Sequence, residues 1–330
     1  MKLNQLGKSD VKVTEIAFGA WAAGGWMWGG TDIDQSVKAV ERALDLGMTT
    51  IDTAPAYGFG LSEEIVGKAI KGKRDKVQIL TKYGLSWDTN KGKFFFSSVS
   101  NEGKPVNMHK YSSKKSVIHE CEQSLKRLDT DFIDLYQIHW PDPTTPVEET
   151  MEAVEILIKQ GKVKASGVCN YSVNEMKKAN SRITLASNQV PYSMVKLDIE
   201  KEIVPFCIQN NIGILAYSPL QRGVLTGKIK GDYKFNEGDT RSNLPYYSLG
   251  NLLQINDFLE KIEPIAQNRN ITLTQLVINW TMQQPGISCV LVGARSPEQV
   301  EENAKAAEFT LSTEEINTIN KEIEQIKLEL

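Results

Sequence analysis

Four residues able to move protons or hold charge stand at or just past the ends of short apolar runs: Asp52, Lys82, His139 and, five residues beyond the first, Tyr57. A tyrosine hydroxyl titrates near 10 and alone is a weak proton donor at neutral pH. An ammonium buried beside it favours the phenolate, and a carboxylate beside that ammonium keeps it charged and aimed in spite of burial. On this reading Lys82 lowers the pKa of Tyr57 and Asp52 steadies Lys82. A lowering of about two units corresponds to about 2.7 kcal/mol, within reach of one close charge in a dry site. His139 then holds a carbonyl oxygen by a hydrogen bond while Tyr57 gives or takes the proton. Taken singly, a loop tyrosine is packing and an Asp–Lys pair is a structural ion pair. Together the four contain no nucleophile paired with a base, and a carbonyl reduced by hydride from a cofactor suits them best.

For these four to meet, their strands must end at one mouth. Short runs rich in Val, Ile, Leu and aromatics predict strands over 15–19, 48–52, 77–82, 132–138, 163–168, 185–190, 212–216 and 287–292, as expected of parallel strands covered on both faces. Amphipathic patterns lie between them. One spans 34–46, with Val37, Val40, Ala43 and Leu44 on one stripe and Gly47 at its end; another spans 147–160 and stops at Gly161. Ser172-x-x-Glu175 and Ser312-x-x-Glu315 read as capping boxes. Eight strands each followed by helix predict an α/β fold, a (β/α)8 TIM barrel made of residues 1–330 as one domain, with its site at the C-terminal rim. Two long steps mark insertions there, about 84–112 after the third strand and 218–254 after the seventh. The opening, Lys2 to Thr14, predicts a β-hairpin about Gly7-Lys8-Ser9-Asp10 that plugs the other end.

Composition narrows the partners. With 38 Lys and Arg against 41 Asp and Glu, a net charge of −3 leaves no basic excess for a phosphate backbone, so no nucleic-acid role is expected. No apolar run approaches a membrane span, and the polar start Met1-Lys2-Leu3-Asn4-Gln5 lacks a signal-peptide centre; a cytoplasmic protein, monomeric or weakly homo-oligomeric, is expected. Cys121, Cys169, Cys207 and Cys289 are far apart and read as buried thiols. His109, His119 and His139 form no metal-ligand spacing, and no metal is expected.

Several strings carry a resemblance. Ile51-Asp52-Thr53-Ala54-Pro55-Ala56-Tyr57-Gly58 with Ser62-Glu63, then Thr81-Lys82, Asp134-Leu135-Tyr136-Gln137-Ile138-His139, and Gly161-Lys162-Val163 with Gly167-Val168-Cys169-Asn170 resemble the aldo-keto reductase superfamily over essentially the whole chain. Met27-Trp28-Gly29-Gly30-Thr31 and His139-Trp140-Pro141-Asp142-Pro143 are most similar to bacterial branches that include the general-stress and inositol-operon types. The resemblance implies a TIM barrel, an NADP(H) cofactor, a small carbonyl or alcohol substrate, and catalytic roles for Asp52, Tyr57, Lys82 and His139. It further implies that Gly19, Ala20 and Trp21 line the nicotinamide, that Asn170 and Gln189 hold its carboxamide, and that Tyr217 stacks on the ring. Ser218, Pro219 and Leu220, with Gly223 and Lys228, would wrap the diphosphate; Arg241 would flank the adenine; Gln299, Glu302 and Asn303 would hold the adenosine end. Where the family commonly has serine before the carboxamide-binding asparagine, this chain has Cys169, a weaker hydrogen-bond partner read here as an apolar filler.

The cofactor end also has a physical signature of its own. No G-x-G-x-x-G follows a strand, which disfavours a Rossmann site. Instead Gly293-Ala294-Arg295 leads into Ser296-Pro297-Glu298-Gln299, a glycine turn opening a capped helix, where free N–H groups, the helix dipole and Arg295 attract phosphate. That favours NADP over NAD. Trp26, Trp28, Trp87 and Trp140 fall in rim loops and are expected to wall a substrate pocket, while Phe94-Phe95-Phe96 form a lid or pack the insertion down. Two other functions compete. One is a cofactor-binding regulatory subunit resembling channel β subunits, which the short lead before the first strand disfavours; the other is a barrel isomerase or lyase working without nicotinamide.

Overall fold

The short polar segment that opens the chain folds back on itself because Gly7 takes a left-handed turn (φ 57°), and a Cβ there would stand 2.6 Å from the carbonyl oxygen of Ala186. The computed structural model describes all residues, Met1–Leu330. The hairpin strands β1 (Leu3–Gln5) and β2 (Lys12–Thr14) pair antiparallel. Leu6, Val11 and Val13 enter a cluster with Ala17, Leu80, Leu135, Leu215 and Leu291, so the hairpin seals one end of the interior as the sequence predicted.

Eight parallel strands close into a barrel. Four of them, with their helices, make its first half: β3 (Ile16–Gly19), β4 (Thr50–Asp52), β5 (Gln78–Tyr83), and, after the short strands β6 (Leu85–Ser86), β7 (Lys93–Val99) and β8 (Pro105–Lys110), β9 (Ile133–Ile138). The rest are β10 (Val163–Cys169), β11 (Leu185–Pro191), β12 (Gly213–Tyr217) and β13 (Ile287–Gly293), and β13 pairs back onto β3. Each predicted strand lies within a few residues of an observed one. The helices are α1 (Ile33–Asp45), α2 (Leu61–Ala69), α3 (Lys114–Leu128), α4 (Val147–Lys159), α5 (Val173–Arg182), α6 (Ile203–Asn210), α7 (Leu249–Asn268), α8 (Leu273–Met282), α9 (Pro297–Ala304) and α10 (Thr313–Ile323). Both predicted capping boxes form, at Ser172 and Ser312. A large apolar cluster between strands and helices supplies the main stabilising burial. No helix is long and apolar enough to cross a membrane.

The register sets what reaches the rim. Gly19 pairs with Asp52, Lys82 with Gln137, Cys169 with Gln189, and Gly293 with Gly19, so strand ends present these residues near one level of the mouth. The insertion after β5 is more ordered than a loop: β6, β8 and β7 form a three-stranded antiparallel sheet. A break in register between Phe94 and Phe96 turns Phe95 and Phe96 towards the mouth, while Phe94 faces outward. The insertion after β12 has only short turns of helix before α7.

Candidate active site

Asp52 and Lys82 emerge from neighbouring strands and meet as an ion pair 2.7 Å long, with both side chains almost wholly buried. Lys82 also donates to the carbonyl of Thr53 at 2.9 Å, and the other oxygen of Asp52 accepts from the Gln189 amide at 2.8 Å. Tyr57 is carried by a turn after β4 whose N–H bonds back to Ala54. Gly24 packs beneath this turn; a Cβ there would stand 2.7 Å from the Tyr57 carbonyl oxygen. Ser62 ties α2 to the same corner, sharing a hydrogen bond with Thr53 and donating to the carbonyl of Ala20. The buried Glu63 accepts from Thr81 at 2.6 Å and Arg127 at 2.7 Å, which fixes α2 beside the residue preceding Lys82.

The Lys82 ammonium stands 4.8 Å from the centre of the Tyr57 ring, and the His139 ring meets Tyr57 edge-on with centres 5.7 Å apart. Asp52, Tyr57 and His139 all reach the cavity wall, with Lys82 behind them. The electrostatics correct one expectation. Burial pushes the Tyr57 pKa up, Lys82 pulls it down, Asp52 pushes it up again, and the result is about 12 rather than a lowered value. Lys82 and Asp52 form a dipole, so the carboxylate cancels part of the field with which the ammonium would favour phenolate. Burial also opposes the charge on Lys82, but Asp52 outweighs it and holds the ammonium above its usual range. Burial, then the charge of Lys82, depresses His139 well below its usual range and leaves a neutral imidazole. Cys169 is buried beside these groups, and burial keeps its thiol protonated.

Aromatic rings wall the mouth above this cluster. Trp21 stacks on Tyr57 with centres 6.0 Å apart and meets Trp28 edge-on at 5.6 Å. Trp26, Trp28 and Trp140 line the cavity, with Phe95 and Phe96 from the inserted sheet. Trp26 latches that sheet by donating to Ser98 at 3.0 Å. Lys110 sits over the rings of both Phe95, at 4.1 Å, and Trp140, at 5.0 Å. Trp87 departs from expectation. It lies edge-on against Phe59, outside the wall, because the turn into the inserted sheet directs it to the back of the aromatic layer.

The same cavity, about 510 Å³, runs from these rings to the start of α9. Gly19, Asp52, Trp21, Asn170, Gln189, Tyr217, Ser218, Leu220, Gly223, Lys228, Arg241, Gly293, Arg295, Gln299, Glu302 and Asn303 all line it. Ala20 does not; it is fully buried, its N–H and carbonyl bonded to Asp52 and Ser62. The amides have partners of their own: Asn170 donates to the His139 carbonyl at 3.1 Å and accepts from the Tyr217 hydroxyl at 3.0 Å. Gln299 accepts from the Arg295 N–H at 2.8 Å, and Ser296 caps α9. Lys228 and Glu302 pair at 2.9 Å, and Arg241 is gripped by Asp239. A nicotinamide dinucleotide fits this wall. Gly19 and Gly293 lie side by side as bare backbone, where a Cβ on Gly293 would meet nothing closer than 3.7 Å and would project into the space. Arg295 has no carboxylate partner, only the carbonyl of Trp28 at 3.3 Å. Ser218, Gln221 and Arg222, all non-glycine, take left-handed backbone beside the cavity, strain of the kind that collects at ligand sites. The sequence reading missed Arg222, whose only signal was its place inside the run 218–228.

Comparison with known proteins agrees with this architecture. The profile of the Aldo/keto reductase family matches residues 15–324. Aldo-keto reductase YhdN of Bacillus subtilis is 38% identical over 323 residues, covering 97% of this chain and 93% of that protein. The NADH-specific methylglyoxal reductase of Escherichia coli is 35% identical over 94% of this chain and 95% of its own length. Among solved structures, the glycerol dehydrogenase of Gluconobacter oxydans superposes with a TM-score of 0.88 at 35% identity, covering 98% of this chain and 95% of that one.

Proposed function

The chain belongs to the aldo/keto reductase family, and from that premise we propose that it reduces aldehydes or ketones to alcohols, reversibly, with NADPH as hydride donor and Tyr57 as proton donor. One observation carries the reading: a phenol and a neutral imidazole share one cavity wall, with a buried ammonium–carboxylate pair directly behind the phenol. Bound nicotinamide dinucleotide supplies the hydride. The protein's own part begins with His139, whose neutral ring can donate an N–H to the carbonyl oxygen and orient it. Tyr57 is protonated throughout the physiological range, so it can donate its O–H to that oxygen as negative charge builds there. The phenolate left behind is stabilised by Lys82, and Asp52 keeps that ammonium charged and fixed by the Thr53 carbonyl.

The aromatic wall of Trp21, Trp26, Trp28, Trp140, Phe95 and Phe96 excludes water from the reacting carbon and suits a flat or apolar carbonyl compound. Asn170, Gln189 and Tyr217 would hold the nicotinamide; Ser218, Leu220, Gly223 and Lys228 the diphosphate; Arg241, Gln299, Glu302 and Asn303 the adenosine. The preference for NADPH over NADH is assigned to Arg295 and the open end of α9. Residues 1–330 are read as one catalytic unit, since every group named belongs to the one barrel or its rim. The test is Tyr57→Phe with a generic aromatic aldehyde and NADPH consumption as readout. Turnover is expected to vanish while the NADPH dissociation constant stays within about two-fold. Retained turnover would remove Tyr57 as the donor.

A further inference from the structure

Two rings of the cavity wall come from different parts of the rim and share one cation. Phe95 is supplied by the inserted sheet and Trp140 by the loop that follows β9, one residue past His139. Their centres are 5.2 Å apart, and the Lys110 ammonium lies 4.1 Å from the first and 5.0 Å from the second. Lys82 and Arg241 also lie over rings, but each has a carboxylate at 2.7 Å. Lys110 has none: its ammonium forms no ion pair and no hydrogen bond with any protein group. Burial outweighs the more distant charges of Glu175 and Asp142 and lowers its pKa. The rings are therefore its partners, and an ammonium within about 6 Å of an aromatic face is drawn to the negative charge of that face.

The fold fixes the backbone of the cation more firmly than that of the rings. Lys110 stands on β8, the middle strand of the inserted sheet, paired with Leu85 on β6 and with Lys93 on β7, whose like charge gives it no partner. Two residues on, the Ser112 N–H donates to Asp142 at 2.8 Å, which joins the base of the sheet to the loop carrying Trp140. Above that base no hydrogen bond joins sheet to loop. The bulge leaves Phe95 without a partner in the ladder. Phe95 and Trp140 pack with Trp26, Ala56, Leu85 and Met108 in a small apolar cluster separate from the main core. Ring contact and the shared ammonium are thus what close the seam between the two segments.

We propose that Lys110 is a positioning residue that sets substrate preference: by clamping Phe95 and Trp140 into one wall, its ammonium maintains the surface on which a planar, ring-bearing aldehyde or ketone stacks, and so favours aromatic over short aliphatic carbonyl compounds. The substrate half of this rests on the reductase reading; the clamp does not. Lys110→Met keeps an unbranched side chain and removes the charge, whereas Lys110→Arg keeps a cation over the rings. KM and kcat are compared for 4-nitrobenzaldehyde and propanal at saturating NADPH. In Lys110→Met the KM for 4-nitrobenzaldehyde is expected to rise about 3- to 30-fold, the range that a lost cation–ring attraction spans, while its kcat and the KM for propanal stay within about two-fold. Lys110→Arg is expected to bring that KM back to within about two-fold of the unsubstituted protein. Hydrogen exchange supplies an arm free of any activity: the amides of β7 that pair with β8 are expected to exchange about 3- to 30-fold faster in Lys110→Met and at the original rate in Lys110→Arg. The proposal is overturned if KM rises alike for both aldehydes, if Lys110→Arg behaves as Lys110→Met does, or if every change in Lys110→Met stays below about two-fold. An unsubstituted protein that consumes NADPH with neither aldehyde sinks the reductase reading instead, and the exchange arm then decides whether the ammonium closes the wall.

Discussion

Replacing Lys82 by methionine separates what the ion pair does for chemistry from what it does for folding. The ammonium is 4.8 Å from the Tyr57 ring centre, and Coulomb's law at an effective dielectric constant of about 20 gives about 3.5 kcal/mol of attraction for a phenolate at that distance. Asp52 offsets part of this, so the loss in the proton-transfer step is expected to be ~10- to 300-fold rather than the full amount. Lys82→Met also strands a buried carboxylate, and breaking such a pair costs roughly 3–5 kcal/mol, or roughly 4–7 °C in melting temperature for a chain of this length. Stability loss alone could imitate a catalytic defect. The double variant Asp52→Asn, Lys82→Met resolves this, because it leaves no unpaired buried charge and recovers most of the melting temperature. Single-turnover measurements at saturating NADPH, run below the melting range, are expected to show both variants slow by similar factors. If rate returns together with stability in the double variant, Lys82 is only a structural partner and the assigned role is wrong.

Three further outcomes follow from the same geometry. With Tyr57 protonated up to about 12 and His139 neutral down to well below its usual range, the state competent for reduction persists across the neutral range, so the rate of the chemical step is expected to be flat from about pH 6 to 9; a titration inside that window would show another group in control. Arg295→Ala is expected to raise the NADPH dissociation constant about ten-fold or more while leaving that for NADH within about two-fold, and equal effects would detach the arginine from the 2′-phosphate. Glu120 accepts from the Gly84 N–H at 2.9 Å and from Ser116, and burial raises its carboxyl to about 7. The folded state therefore holds this proton to higher pH than the unfolded chain does, and its contribution to stability is present at acid pH and lost as pH rises towards 7. Glu120→Gln should accordingly raise stability by ~1–3 kcal/mol at pH 8 relative to its effect at pH 4, and an equal shift in denaturation midpoint at both pH values would refute the assignment.

The barrel was legible because its signal is repeated. Runs such as FIDLYQI and ISCVLV are too short and too apolar to be anything but covered strands, and eight of them alternating with capped helices leave little choice of topology. Asp52, Lys82 and His139 could be placed at one mouth for the same reason, since residues at or next to the C-terminal end of a barrel strand have a defined destination. The missed features are those fixed by long-range placement. The sheet within 84–112 lacks clean alternation because a bulge at Phe95 puts two successive phenylalanines on one side. Trp87 belongs to the same insertion, and nothing local to it tells front from back of the aromatic layer. The pKa of Tyr57 was misjudged because a single close cation was weighed without its counter-ion and without the cost of burying the phenol.

That misjudgement bears on how the site works. A phenol already ionised at neutral pH could accept a proton but could not donate one, and reduction needs a donor. Burial of the phenol first, and then the charge of Asp52, oppose the field of Lys82 and hold Tyr57 protonated in the resting site; on the proposed mechanism the ammonium's attraction counts fully only as the substrate oxygen begins to carry charge, because it then acts on a phenolate formed during transfer. The arrangement thus stabilises the transition state more than the resting state, which is the condition for raising kcat. Removing Asp52 alone should therefore lower the Tyr57 pKa and move the alkaline limit of reduction to lower pH, because the carboxylate's share of the upward push is lost. An Asp52→Asn variant whose rate of reduction kept the same alkaline limit would show that the carboxylate only braces Lys82 and does not set the phenol's resting state.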